Sequence, residues 1–534
     1  MKKKLLFVSF VFFQYVMFAQ EHAWVYFTDK EDVANSIANP LTILTQKALD
    51  RKAKFNVAID ERDVPINESY ITEIKTSEGI EVKAKSKWFN AVHIAGSVSD
   101  INNLLDLNFV SLVDFADDSF NMFPVQINVN NKFQIEDIML DFIYGDTQNQ
   151  VEMISADELH ALDFTGTGVT IAVLDSGFPS VNTMGAFQRL RNAGNLLGGY
   201  DFVNRTEDVF SYTGSSHGTK VLSAMAGFIQ DEFVGTAPDA SYYVFRTEEA
   251  EKETPVEESY WVEAAERSDS LGVDIINTSL GYKGYDNINY SHTSNDMNGN
   301  TTFITKGANI AFEKGMLLVN SAGNSGASGV NAPADAEGVF SIGAVDENGL
   351  YASFSSQGSA IQPSHKPDVT ARGTATYVIG PNNVIVQNNG TSFSSPLMAG
   401  GLACLRQALP ELTNAKILQL VRETASQYNS PDYLLGYGIP NLANALSLEL
   451  STQNAERTSF SFYPNPMSDK LFIRFPSNME SAQLYIYDVL GKLIVDIPIQ
   501  SFVPVDLQSL SNGIYIVNIK SNNMSLKSYK LLKK

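Results

Sequence analysis

Three short strings in this chain carry side chains that could break a bond together. "AVLDSG" ends an apolar run in Asp175, "SSHGTKV" sets His217 between serines and a Gly-Thr turn, and "GTSFSSP" holds Ser392 just ahead of an apolar segment. A serine hydroxyl needs a base to take its proton, and an imidazole can do so near neutral pH. The imidazole in turn needs an anion on its other nitrogen, which fixes the tautomer and stabilises the cation. Asp175 can supply it. Each string alone has a plainer reading. Serines gather at helix N-termini because their oxygen accepts an orphan backbone N–H, so Ser392 by itself reads as a cap. A strand-end aspartate is often a cap or a solvated acid, and a lone histidine is more often structural. A helix start nevertheless suits a nucleophile, because backbone N–H groups and the helix dipole meet developing negative charge there.

A fourth string, "VNSAGNSG", puts Asn324 in a Gly-rich turn from which its amide could face an oxyanion. A surface Asn-Gly turn is the plainer reading. Asn320 competes for the same role, although it falls nearer the strand end.

The elements around these residues repeat one form. "GVTIAVLD", "SYYVFRT", "VDIINTSLG", "MLLVNSAGN" and "VFSIGAVD" are apolar runs rich in Val and Ile that end in polar groups. Such runs are buried parallel strands whose C-terminal ends deliver polar side chains. Helical stretches such as "GTKVLSAMAGFI", "SYWVEAAERSDSLG" and "TKGANIAFEKG" lie between them. Alternating strand and helix predict a parallel sheet covered by helices.

Composition bounds the remainder. The 534 residues are 44% apolar and 18% charged, enough for several packed domains. The formal net charge of −22 disfavours nucleic acid and anionic membrane surfaces as partners. The single cysteine, Cys404, has no internal disulfide partner and reads as a small buried hydrophobe. Lys2, Lys3 and Lys4 head a short apolar run that closes on Ala19, the pattern of a signal peptide at 1–19. No later segment holds eighteen uninterrupted apolar residues, so no transmembrane segment is expected in the mature protein. Residues 20–143 mix strand-like and helix-like pieces and hold no catalytic cluster, which predicts a small α+β domain. Residues 144–449 form the α/β part and 450–459 a linker. Residues 460–534, with alternating strands around Leu490-Gly491-Lys492 and a final hairpin, predict an antiparallel β-sandwich.

Taken in order, the motifs resemble the subtilisin-like serine protease family. Asp175 of "VLDSG", His217 of "HGTKVLSAMAG", Asn324 of "SAGNSG" and Ser392 of "GTSFSSP" stand at that family's aspartate, histidine, oxyanion asparagine and nucleophile positions, and Pro396 belongs to the same signature. "NTSLG" resembles the substrate-lining strand, which makes Ser279, Leu280 and Gly281 candidate substrate-binding residues. "KPDVTARG" resembles a further signature, with Arg372 where proline is usual; an altered surface loop is expected from that departure.

The resemblance implies a three-layer α/β/α domain with a mostly parallel sheet and a secreted endopeptidase acting on protein or peptide substrates. It implies no cofactor and no metal for the chemistry; structural calcium is common in the family, and no EF-hand-like loop is present. It also implies that the N-terminal domain is a removable propeptide. "YPNP", "IYDVLGK", "GIYIVNI" and the lysine-ending tail resemble the sorting domain of the type IX secretion system of Bacteroidetes. That likeness implies the secretion machinery as a partner and a secreted or outer-membrane surface location reached through the periplasm.

Two segments flank the expected cleft. The acidic run "TEEAEKETPVEES" reads as a solvated loop, and "YKGYDNINYSHTSNDMNGNTTF" as a border of the site. The competing classes are a non-catalytic surface or adhesion protein on a protease-like scaffold, and an esterase or lipase. An α/β-hydrolase would need a G-x-S-x-G elbow and the order Ser, acid, His; the order Asp, His, Ser and the string "GTSFSSP" oppose it.

Overall fold

From residue 170 onward the apolar strands come together in one seven-stranded parallel sheet. The computed structural model describes residues 20–120, 142–457, 460–475, 481–501, 503–521 and 524–534, so the expected signal peptide lies outside the described residues. The sheet strands are β1 (Thr170–Asp175), β2 (Leu196–Asp201), β3 (Ser241–Arg246), β4 (Ile275–Thr278), β5 (Leu317–Ser321), β6 (Val339–Val345) and β7 (Val369–Arg372). Their spatial order is β7-β6-β5-β4-β1-β3-β2, with every pairing parallel. From β4 the strands step outward in chain order to β7, while β3 and then β2 lie on the other side of β1, so the strand order reverses at the β1/β4 boundary. Side chains at the C-terminal ends of these two strands therefore face one crevice.

Helices cover both faces. Helices α2 (Val256–Leu271) and α3 (Phe303–Glu313) pack on one side, over a core that includes Leu174, Phe245, Ile276, Leu318 and Trp261. Helices α1 (His217–Ala226) and α4 (Thr391–Ala408) cover the other side. The two-residue period of a strand sends Leu174 and Phe245 toward α2 and turns Asp175 and Arg246 the opposite way.

The N-terminal module is a four-stranded antiparallel sheet in the order Glu81–Ser86, Ala91–Gly96, Glu21–Phe27, Val110–Phe115. Alternation again decides its faces. Ala23, Val25 and Phe27 enter the module's own core with Ile71, Ile74 and Ile94, while Trp24 lies on the α2/α3 side. There the Trp24 ring stacks on Phe303 at 4.8 Å, and its indole N–H donates to Ser259 Oγ of α2 at 2.8 Å. Buried ion pairs join the two parts: Lys314 Nζ to Asp63 at 2.8 Å, and Lys52 Nζ to Asp269 at 2.9 Å, with Lys52 also 3.1 Å from Asp63 inside its own module.

Residues 447–534 form a separate unit. One sheet holds Ser461–Tyr463, Lys470–Arg474 and Val505–Asp506; the other runs Leu493–Gln500, Ser481–Tyr487, Gly513–Ser521, Met524–Lys533. Leu471, Ile473, Leu484, Ile486, Val517 and Ile519 meet in a common core. The span read as a linker, 450–459, is helical as far as Arg457, the end of the helix Leu442–Arg457. Among the described residues, no helix is long and apolar enough to cross a membrane.

Candidate active site

Asp175 is the last residue of β1 and is fully buried. Its Oδ1 accepts from His217 Nδ1 at 2.7 Å and from the Ser176 N–H at 2.7 Å. His217 opens α1, and its ring remains about one third exposed. Gly218 lets the helix start reach this close, since a Cβ there would lie 2.9 Å from Asp175 Cβ and 2.7 Å from the Gly177 carbonyl oxygen. Burial lowers the affinity of His217 for its proton, but the charge and hydrogen bond of Asp175 outweigh that effect. The imidazole pKa is raised above its ordinary value.

Ser392 is the second residue of α4 and does not cap it. The cap position is Gly390, without a side-chain cap bond, and Ser392 Oγ instead donates to the Ser279 carbonyl at 3.0 Å. The next residue, Phe393, lies against the His217 ring with centroids 5.7 Å apart. The reason for Pro396 is visible here. Proline has no N–H to give to the carbonyl four residues earlier. That carbonyl belongs to Ser392, and Ser279 Oγ donates to it at 2.9 Å. Asn277 Nδ2 donates to Ser279 Oγ at 3.2 Å, and Ser395 Oγ donates to Asn277 Oδ1 at 2.9 Å.

Asn324 is exposed beyond the end of β5. Its Oδ1 accepts from the Thr391 N–H at 2.9 Å and from Thr391 Oγ1 at 3.0 Å, so its amide nitrogen is the end left for a ligand. Asn320 is buried within β5 and spends its Nδ2 on the carbonyls of Leu280, at 3.1 Å, and Ser321, at 2.8 Å. Ser279, Leu280 and Gly281 follow β4 directly. Asp175 is thus bonded to His217, Ser392 to Ser279 just beyond β4, and Asn324 to Thr391 just ahead of Ser392, while Phe393 lies against the His217 ring.

Two expectations need correction. The run 247–259 is not a solvated loop throughout: Thr247, Glu248, Glu257 and Glu258 are buried. Hydrogen bonds hold these acids inside. Glu248 accepts from the Tyr282 hydroxyl, and Glu257 from the N–H groups of Glu249 at 2.8 Å and Thr254 at 3.1 Å. Burial, opposed by the Tyr282 and Thr247 hydrogen bonds, pushes the Glu248 carboxyl up to about 8. Arg372 does not sit in a surface loop either. It is buried at the end of β7 and donates to Asn149 Oδ1 at 2.7 Å and the Ala375 carbonyl at 2.9 Å.

Sequence reasoning missed Glu248, Tyr282, Asn277 and Thr391. A signal existed for Glu248: it lies two residues beyond the end of the apolar strand β3.

A parallel sheet with a buried Asp–His pair at its switch point is the core of a serine-protease-like catalytic domain. The chain belongs to the subtilase family, whose profile matches residues 166–438. The profile of the Bacteroidota peptidase S8 propeptide domain matches residues 22–134, and that of a secretion system C-terminal sorting domain matches 461–534. The thermostable alkaline protease of Halalkalibacterium halodurans is 30% identical over 296 residues, covering 55% of this chain and 72% of that protein. Subtilisin E of Bacillus subtilis is 30% identical over 300 residues, covering 55% and 70%. Subtilisin DY of Bacillus licheniformis is 28% identical over 300 residues, covering 55% and 97%. The chain is thus a subtilisin-like serine endopeptidase with a propeptide-type N-terminal domain and a type IX sorting domain. It is directed through the periplasm to the outside or the outer-membrane surface, and the secretion machinery is its partner on that route. Among the described residues, no group of three or more His, Cys, Asp or Glu side chains is arranged to hold a metal ion.

Proposed function

We propose that the chain hydrolyses peptide bonds through an acyl-enzyme on Ser392, with His217 as base, Asp175 as its anionic partner and Asn324 as an oxyanion donor. Ser392 Oγ adds to the scissile carbonyl as its proton passes to His217. The Asn324 amide and the Ser392 N–H hold the oxyanion of the tetrahedral intermediate. His217 then gives the proton to the leaving amine, and water repeats the sequence to release the acid. The main chains of Ser279–Gly281 and Ser321–Asn324 pair with an extended peptide as added strands. The observation that carries this reading is the 2.7 Å bond from His217 Nδ1 to buried Asp175, which leaves the second ring nitrogen for the serine. The Ser392 hydroxyl donates to Ser279 here, and a turn about its side-chain bond redirects it to the imidazole when substrate enters.

Residues 20–143 serve in this reading as the propeptide, removed on maturation. Residues 460–534 direct export and take no part in the chemistry. Intact mass of the secreted protein before and after a fluorophosphonate probe tests the Ser392 assignment and the removal of the N-terminal domain. Wild-type protein should lose the N-terminal domain and gain one adduct on Ser392. Ser392→Ala should stay long and unlabelled. An adduct on another serine in that variant would end the assignment.

A further inference from the structure

The loop that delivers His217 to Asp175 is held from below by a buried cation. Arg246 ends β3 and is almost wholly buried, in register with Asp175 on one neighbouring strand and Asp201 on the other. Its guanidinium donates to Asp201 Oδ2 at 3.0 Å. Asp201 is itself fixed by the N–H groups of Val203 at 3.0 Å and Asn204 at 2.8 Å. The cation is thereby matched on its far side, and Asp175 keeps its Oδ1 for the imidazole.

Above the guanidinium lies Tyr212, five residues before His217, with the Arg246 carbon 3.4 Å from the ring centroid. The chain closes tightly over this ring. A Cβ on Gly214 would lie 2.3 Å from the Tyr212 hydroxyl oxygen, and a Cβ on Gly177 would lie 3.1 Å from the ring edge and 2.5 Å from the Ser215 carbonyl oxygen. Ser215 completes the link: its Oγ meets Ser176 Oγ at 2.7 Å and accepts from the His217 N–H at 3.3 Å. Ser176 is the residue whose N–H also binds Asp175.

We propose that Arg246 and Tyr212, braced by Asp201, are positioning residues that set the His217 imidazole against Asp175. The proposal rests on the reading of His217 as the base. A planar cation stacked on an aromatic face fixes both the height and the tilt of the ring it carries. The ring here is the floor of the segment that ends in His217.

The test uses matured enzyme carrying Tyr212→Leu or Tyr212→Phe, with kcat and KM measured on a short peptide across pH, and the melting midpoint measured alongside. Tyr212→Leu removes the stacked face, and misplacing a catalytic group by about 1 Å costs up to about a hundredfold in rate. A kcat loss of about tenfold to a hundredfold is therefore expected, with KM changed less than about twofold. The acid limb of the pH profile should move down, because a loosened imidazole gains less from Asp175. The melting midpoint should stay near wild type, and Tyr212→Phe should restore kcat and the acid limb. Wild-type kcat and acid limb in Tyr212→Leu, or a Phe variant as impaired as the Leu variant, would overturn the proposal. A His217→Ala enzyme that still turns over would instead remove the base assignment beneath it.

Discussion

The hydroxyl of Ser279 donates to the main-chain carbonyl of Ser392 at 2.9 Å, the carbonyl that Pro396 leaves without a helical donor. The segment that follows β4 and helix α4 are thus joined through a carbonyl that an ordinary helix would pair with its own N–H. Ser279→Ala should leave that buried carbonyl unpaired, at a cost of about 1–3 kcal/mol. Adding Pro396→Ala supplies an N–H to the same carbonyl and should recover part of the loss. Denaturant midpoints of the two single variants and the double variant, in a Ser392→Ala background that prevents autolysis, measure the coupling. Additive losses would show that the two residues act independently.

Asn324 should affect turnover far more than stability, because it is exposed and only its Oδ1 is held by the protein. Asn324→Ala should lower kcat by on the order of 10²–10³, a magnitude known from subtilisin itself rather than read from this structure. Steady-state kinetics on a short peptide check it. Unchanged kcat would move the oxyanion role to main-chain donors, since Asn320 spends its amide on Leu280 and Ser321.

The pH profile follows from the sign of the His217 shift. The base must be neutral to accept a proton, and the Asp175 charge and hydrogen bond hold its pKa above the ordinary value against the opposing effect of burial. The acid limb of kcat/KM should therefore have its midpoint above about 6.5. Any stability gained from the charged pair should be lost as pH rises through that midpoint. Asp175→Asn should move the limb down and lower kcat on the order of 10⁴, the scale known for this constellation in other serine proteases. A limb that stays in place in Asp175→Asn would assign the titration to another group.

The candidate site was legible in the sequence because each of its members stands at the end of a regular element. Asp175 ends an apolar strand, and His217 and Ser392 lie at helix starts, so short strings carried both the chemistry and the position. The burial of Glu248, Glu257 and Glu258 was not legible. It depends on Tyr282 and on a loop folding back, and the local composition is that of a solvated run. The same holds for Arg372, whose partner Asn149 is more than two hundred residues away. The C-terminal sandwich was readable because strict alternation and turn residues suffice to define it. The strand Leu196–Asp201 was overlooked, since its paired glycines weaken the apolar pattern.

Glu248 should make stability fall as pH rises. Burial, opposed by the bonds from Tyr282 and Thr247, holds its folded pKa at about 8, against about 4.3 for an unfolded glutamate. Between those values the folded chain keeps a proton that the unfolded chain releases, so rising pH favours unfolding. Glu248→Gln keeps a neutral hydrogen-bonding side chain and should flatten the decline between pH 5 and 8 measured by denaturant titration. Identical pH slopes in the two proteins would exclude Glu248 as the source.

A histidine pair at the contact between the N-terminal module and α2 should loosen that contact in acid. His22 Nδ1 lies 2.9 Å from His93 Nε2, and His93 Nδ1 lies 2.7 Å from Ser259 Oγ, beside the Trp24 ring. Burial, reinforced by the Lys83 charge and opposed by Glu81, pulls His22 down to about 4. Burial pulls His93 well below its ordinary value, and the His22 and Lys83 charges add to that. Both rings are therefore neutral in the folded chain at pH values where unfolded histidine, with a pKa near 6.5, takes a proton. The unfolded state binds more protons, so stability should fall as pH drops below about 6.5, and the His22 contribution should level off near 4. Melting midpoints of the uncleaved Ser392→Ala chain from pH 7.5 to 4.5 measure the slope. The same chain with His22→Gln and His93→Gln should show a shallower one. Equal slopes would place the acid sensitivity elsewhere, whereas a shallower slope would assign it to the two rings at this contact.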